Sequence, residues 1–329
     1  MTEPSLLEDW LDRTERISLQ NRSFLEKFSA LLPLLKERKI EVFPLKGMDL
    51  LLRRCLALGR RSFVDMDLLV REKHLQKLDE FLESEGFCRR GSSQRFLNES
   101  FANESLDYVS RDRCLLLDII WRPWYLDAGS TEALWNRSVF RETPLGPCRL
   151  LHPEDALLYL LAYAVAWRGY FSPFFVQDLQ GFLQKEGAQI NWRRWISEVR
   201  RCGMAGAVFC GLRYAQNEGL QGVPKEVCDA LQPRSFSERW LVGYYSQLTK
   251  GKGRFSSSYI SLFLGTPGWK KKTELLWRAF FPPASLVALR RGKISFWIRF
   301  LAGVFRPIRI LARILYFIPR DFLRIFMEK

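Results

Sequence analysis

The 329-residue chain has only two histidines, His74 and His152, which removes most histidine-based metal and triad chemistry. Its seven cysteines (Cys55, Cys88, Cys114, Cys148, Cys202, Cys210 and Cys228) are odd in number and scattered, and none forms a C-x-x-C pair. Neither a disulfide framework nor a zinc site follows from them, and a reducing compartment is the natural expectation. No stretch reaches the roughly 18 uncharged apolar residues of a membrane span. The opening MTEPSLLEDWLDRTER is acidic and amphipathic, without the basic and then apolar regions of a signal peptide. The expectation is a cytoplasmic protein, peripheral to the inner face of the membrane if its tail engages one.

With 47% hydrophobic and 26% charged residues, the composition is that of a folded chain with a sizeable core. The net charge of +15 is unevenly spread. Residues 251–329 hold 16 Lys and Arg against three Asp and Glu, so +13 of the +15 belongs to the tail and the body is nearly neutral. A nucleic-acid footprint over the whole chain is therefore not indicated.

Apolar residues recur at three- and four-residue steps from Leu6 to Leu35, which predicts a helix over 5–38 that Pro33 kinks or splits. A short strand follows at 40–43, closed by a Pro44-Leu45-Lys46-Gly47 turn. Residues 48–58 then predict a helix that stops at Gly59. Strands are expected at 63–70, 87–90, 106–110 and 114–121, with a helix over 72–85 that Gly86 ends. After Leu150 the pattern is helical only, at 154–167, 174–185, 191–202, 204–218 and 224–232. The organisation expected is α+β: a helical segment (1–38), a mixed-sheet α/β domain (39–150), an all-helical second domain (151–250) and a basic amphipathic helical tail (251–329).

Chemistry concentrates in the α/β part. Alternate strand residues share a face, so a strand over 63–70 projects Asp65 and Asp67 together. Two such carboxylates repel each other and resist burial, but they suit a hard divalent cation that takes oxygen ligands. A third acid, Asp118, lies in the apolar run Cys114-Leu-Leu-Leu-Asp-Ile-Ile-Trp121 and calls for a partner. A metal would serve, and so would an arginine; a D-x-D on a strand is also what a solvated face looks like.

The order of Pro44-Leu45-Lys46-Gly47, Arg61, Asp65-Met66-Asp67-Leu68-Leu69-Val70 and Leu117-Asp118-Ile119-Ile120-Trp121 resembles the bacterial nucleotidyltransferase-like family of the DNA polymerase beta superfamily. Leu151-x-Pro153-Glu154-Asp155 and Val176-Gln177-Asp178-Leu179 are similar to that family's later motifs. The resemblance implies a nucleotidyltransferase fold and transfer of a nucleoside monophosphate from a nucleoside triphosphate to an acceptor hydroxyl or phosphate. It implies Asp65, Asp67 and Asp118 as catalytic residues and ligands of Mg2+ or Mn2+. Lys46, Gly47, Arg61 and Asp178 would bind the nucleotide. Three positions depart from the family pattern: Met48 after Gly47, and Ile120 and Tyr163 where histidines are usual. These departures leave open a catalytically silent binding or regulatory relative.

In the tail, Arg299, Arg306, Arg313 and Arg320 recur every seven residues beside a wide apolar set. That pattern fits an amphipathic helix on an anionic membrane surface through residues 290–329, or packing against the body. A membrane-surface adaptor acting through these helices is thus an alternative function. Nucleic acid is the less favoured partner, because the aromatic residues sit at core-like spacing rather than as a stacking platform. Changing the four arginines to Gln is expected to abolish sedimentation with anionic vesicles. Wild-type binding should weaken steeply with salt, since exposed charges are screened within about 8 Å at physiological ionic strength. Binding that persists at high salt would assign the affinity to the apolar face instead.

Overall fold

The computed structural model describes residues 6–89, 104–168 and 171–249, with six further positions beyond 271. Nearly all of the basic tail lies outside the described residues. Among the described residues no helix is long and apolar enough to cross a membrane.

The first helix, α1, runs unbroken from Leu6 to Glu37 and carries Pro33 within it. One stripe of it, Phe24, Leu25, Phe28, Leu31 and Leu35, is buried. Its end is set by Lys39, which adopts a left-handed φ of 52°. That turn lets Ile40 N–H donate to Leu35 O at 2.9 Å, satisfying a carbonyl the helix leaves open.

Five strands then form a mixed sheet in the order β1-β2-β5-β4-β3, built from β1 (Val42–Pro44), β2 (Met66–Val70), β3 (Phe87–Arg89), β4 (Glu104–Ser110) and β5 (Leu116–Arg122). Only β2 and β5 pair in parallel. Helix α2 (Lys46–Leu52) joins β1 to β2, and α3 (Leu75–Ser84) joins β2 to β3, ending before Gly86 at φ 82°.

Alternation across the sheet separates two cores. Met66, Leu68, Val70, Leu117 and Ile119 pack with the α1 and α3 side chains. Leu69 and Ile120 point the other way, into a core shared with the helical half of the chain. That half comprises α5 (Pro153–Ala162), which runs on into a π-helical stretch over Tyr163–Arg168, then α6 (Phe175–Glu186), α7 (Trp192–Arg201), α8 (Ala205–Asn217), α9 (Lys225–Leu231) and α10 (Phe236–Thr249).

Several expectations are corrected. The helix expected over 48–58 stops at Leu52, because Arg54 turns left-handed (φ 57°) and Cys55 N–H closes on Leu50 O. Gly59 serves a close approach instead: a Cβ there would lie 2.8 Å from the Thr14 carbonyl oxygen of α1. The strand expected from 63 begins only at Met66, so Asp65 precedes it. Before residue 151 the chain also forms α4 (Ala128–Arg137), capped by Asp127, and an antiparallel hairpin of β6 (Val139–Thr143) and β7 (Gly146–Leu150). The hairpin strands lack a clean apolar alternation and β7 contains Pro147, which hid them. Helix α10 was likewise not anticipated.

The two halves are joined through a buried charge network. Arg53 Nε donates to both Asp49 carboxylate oxygens at 2.9 Å, its Nη2 donates to Leu151 O at 2.5 Å, and its Nη1 lies 3.5 Å from Glu186 Oε1. Arg53→Met would leave the buried Asp49 carboxylate without its partner, while Glu186 keeps its ion pair with Arg141. It is expected to cost about 3–5 kcal/mol in urea unfolding; a loss below about 1 kcal/mol would show the network to be dispensable.

Candidate active site

The antiparallel pairing of β1 with β2 carries the chain back over Asp67: Leu45 N–H donates to Asp67 O at 2.9 Å. Lys46 follows with a φ of 51°, a left-handed conformation that a residue with a side chain adopts only where its surroundings enforce it. This directs its ammonium onto the Asp67 carboxylate, to which it donates a hydrogen bond. The same ammonium lies 3.7 Å from the centre of the Tyr163 ring, where the π-helical stretch begins. Burial by itself would lower the Lys46 pKa, but the Asp67 and Asp118 carboxylates outweigh it and hold the group charged, well above its usual range.

The parallel register of β2 and β5 sets Asp67 directly beside Asp118. Burial, and after it the neighbouring Asp67 charge, push the Asp118 carboxyl well above the ordinary range, while Lys46 pulls it down. Its Oδ1 is shielded from solvent and takes no hydrogen bond from the described residues. The antiparallel register of β4 adds a carboxylate that sequence reasoning missed, Asp107, opposite Asp118. The alternation of Leu106, Asp107 and Tyr108 marks a strand face; only the register reveals which row it joins.

Gly47 lies in the first turn of α2, where no side chain caps the helix. A Cβ at this position would lie 2.0 Å from the Phe63 ring and 2.8 Å from Arg61 Nη2, so the residue must be glycine. Arg61 rests on the Phe63 ring, 4.7 Å from its centre, and its Nη1 lies 3.0 Å from Asp178 Oδ2 on α6. The irregular segment bearing Arg61 is held from α1. Asn21, fully buried, donates to Leu58 O at 2.5 Å and to Arg61 O at 2.7 Å, and Gln20 donates to Phe63 O at 3.0 Å. Nothing in the sequence around Asn21 signals this positioning task.

Lys46, Gly47, Arg61, Asp67, Asp118 and Asp178 are thus all linked by contacts or register along one side of the sheet. Asp65 lies just ahead of β2, so the strand ladder does not set its direction. Among the described residues no group of three His, Cys, Asp or Glu is placed to hold a metal ion. Asp67 is instead paired with the Lys46 ammonium. The donors that are paired, Asp67 and Asp118 with a bare Oδ1, are all oxygen and suit a hard divalent cation. Of the positions where histidine was expected, Ile120 is fully buried in the core, and Tyr163 is the ring under Lys46.

A family model described as uncharacterised nucleotidyltransferase matches residues 2–217. The chain belongs to this nucleotidyltransferase family. The match takes in every residue of the carboxylate row as well as Arg61 and Asp178, and its last residue is the last of α8. No curated protein matches the chain. Membership gives the chain a general nucleotidyltransferase-like role.

Burial pushes the Asp178 carboxyl up to about 6, against the pull of Arg61. A folded-state pKa above the ordinary value of 3.8 means that the folded protein binds this proton more tightly than the unfolded chain. The group's contribution to stability is full below about pH 4 and is lost as pH rises through about 6, on the order of 2–3 kcal/mol. Carbon NMR of Asp178 is expected to show titration near pH 6, and Arg61→Gln should move it upward. A midpoint near 4 in both proteins would mean that the carboxylate is solvated.

Proposed function

We propose that this nucleotidyltransferase is a divalent-metal-dependent enzyme that transfers a nucleoside monophosphate from a nucleoside triphosphate to an acceptor hydroxyl or phosphate. The observation that carries the reading is the placement of Asp67 beside Asp118, with the Lys46 ammonium against them, inside the segment that matches the family.

In this reading Asp65, Asp67 and Asp118 would hold Mg2+ or Mn2+. Such an ion, when bound, supplies positive charge that polarises the phosphates and makes the acceptor oxygen easier to deprotonate. Asp118 is the group to take the acceptor's proton, as that oxygen forms its bond to the α-phosphorus and the bond to pyrophosphate breaks. Lys46 and Arg61 supply charge toward the phosphates and the departing pyrophosphate, where fixed cations stabilise the negative charge that develops. Gly47 leaves the backbone bare at the turn beside them. Asp178 holds Arg61 through an ion pair.

A second element of the reading is that residues 290–329 engage an anionic membrane surface. The observation in its favour is the +13 carried by residues 251–329, and it would place the enzyme in the cytoplasm, peripheral to the inner face of the membrane.

Calorimetric titration with each of the four nucleoside triphosphates in the presence of Mg2+ identifies the nucleotide. Replacing both Asp65 and Asp67 by Asn is expected to abolish metal-dependent nucleotide binding while the fold survives. Asp118→Asn should leave binding largely intact and lower turnover, the kinetic form of an interaction made mainly in the transition state. If the double variant binds nucleotide as well as the wild type, the carboxylates are not a metal site. If Asp118→Asn loses activity only in proportion to unfolding, Asp118 is structural.

A further inference from the structure

We propose that Lys46 holds a cation's place on Asp67 until nucleotide arrives, so that a divalent ion binds tightly only together with the triphosphate. The inference rests on the nucleotidyltransferase reading above and goes beyond it by giving the order of ligand entry and naming the residues that enforce it.

Two cations compete for one carboxylate. The Lys46 ammonium is in hydrogen-bond contact with Asp67, and a divalent ion ligated by the same carboxylate would meet a like charge at that spot. The ammonium is not a loose surface group. Its other side is covered by the Tyr163 ring at 3.7 Å, and a cation over a desolvated aromatic face is attracted to it. The left-handed backbone at Lys46 fixes the direction from which the side chain comes. The single positive charge does not complete the site, because Asp118 Oδ1 stays bare beside it. The protein therefore keeps a monovalent occupant that leaves one oxygen unsatisfied and is easily outbid once a better anion is offered.

Phosphate is that anion. Lys46 sits next to Gly47, and its four-carbon stem lets the ammonium move without moving the backbone. Triphosphate arriving at this turn draws the ammonium off Asp67 and frees the carboxylate for the ion the nucleotide brings. By linkage, the factor by which nucleotide tightens metal binding equals the factor by which metal tightens nucleotide binding. Tyr163 is a positioning residue in this scheme, acting through Lys46.

The test is Mn2+ binding to the full chain, followed by the paramagnetic resonance of free Mn2+, with and without each nucleoside triphosphate. Without nucleotide, Lys46→Met is expected to bind Mn2+ about tenfold more tightly than wild type. Tyr163→Leu keeps every charge and removes only the ring, so it should show a smaller gain in the same direction. Adding nucleotide should tighten Mn2+ binding in the wild type and much less in Lys46→Met. Should Lys46→Met fail to fold, Tyr163→Leu decides: an affinity no higher than wild type overturns the proposal. Measurable and equal Mn2+ affinity in all three proteins removes the competition by Lys46 while leaving the nucleotidyltransferase reading intact. Mn2+ retained by none of them, with any of the four nucleotides present, removes both.

Discussion

Two carboxylates side by side in a parallel pair of strands cannot both stay charged at the edge of a core without a cation. Asp67 and Asp118 are in that position because β2 and β5 pair in one register and no other. A slip of one residue would turn Asp67 into the core beneath the sheet and bring Met66 or Leu68 up in its place. The apolar residues on each face forbid the slip, so the chemistry is held in place by packing. Lys46 is the cation the chain supplies for itself, and its left-handed backbone follows from having to reach Asp67 from a strand that ends two residues earlier.

The surrounding elements support that row of charges from two sides. On one side α1 holds the irregular segment after α2 through Asn21 and Gln20, and this presents Arg61 to Asp178. On the other, α6 provides Asp178 for Arg61 and Glu186 for Arg53. Helix α6 also lies so close to the turn after α2 that a Cβ at Gly181 would meet the Cys55 carbonyl oxygen at 2.2 Å. The helical half is therefore part of the site. It shares a core with the sheet, and the residues that orient the cations come from both.

Much of this was legible in the sequence. The three-and-four periodicity of α1, the isolated acid in the apolar β5 run and the spacing of Asp65 and Asp67 each have a local cause that a reader of the chain can weigh. What was not legible has equally definite causes. The end of α2 at Arg54 depends on a left-handed arginine, which propensity does not favour, whereas Gly59 advertised a helix stop and served close packing. The hairpin of β6 and β7 has mixed faces and a proline. Asp107 looked like any polar strand residue until the β4 register placed it against Asp118. Asn21 lies in the middle of a long helix and acts on backbone some 40 residues away.

By itself the sequence determined the α+β class, the candidate acids and the segregation of positive charge into residues 251–329. These are properties of composition, periodicity and short-range spacing, which survive when the chain is read one residue at a time. Only the tertiary structure decided that Asp65 stands ahead of the strand, that Lys46 rather than open solvent faces Asp67, that Tyr163 lies over that lysine, and that Arg61 is held between Asn21 and Asp178. Each of these depends on a strand register or a contact between distant segments. No local preference encodes such a pairing; it is selected when the two cores and their few buried charges must be satisfied together.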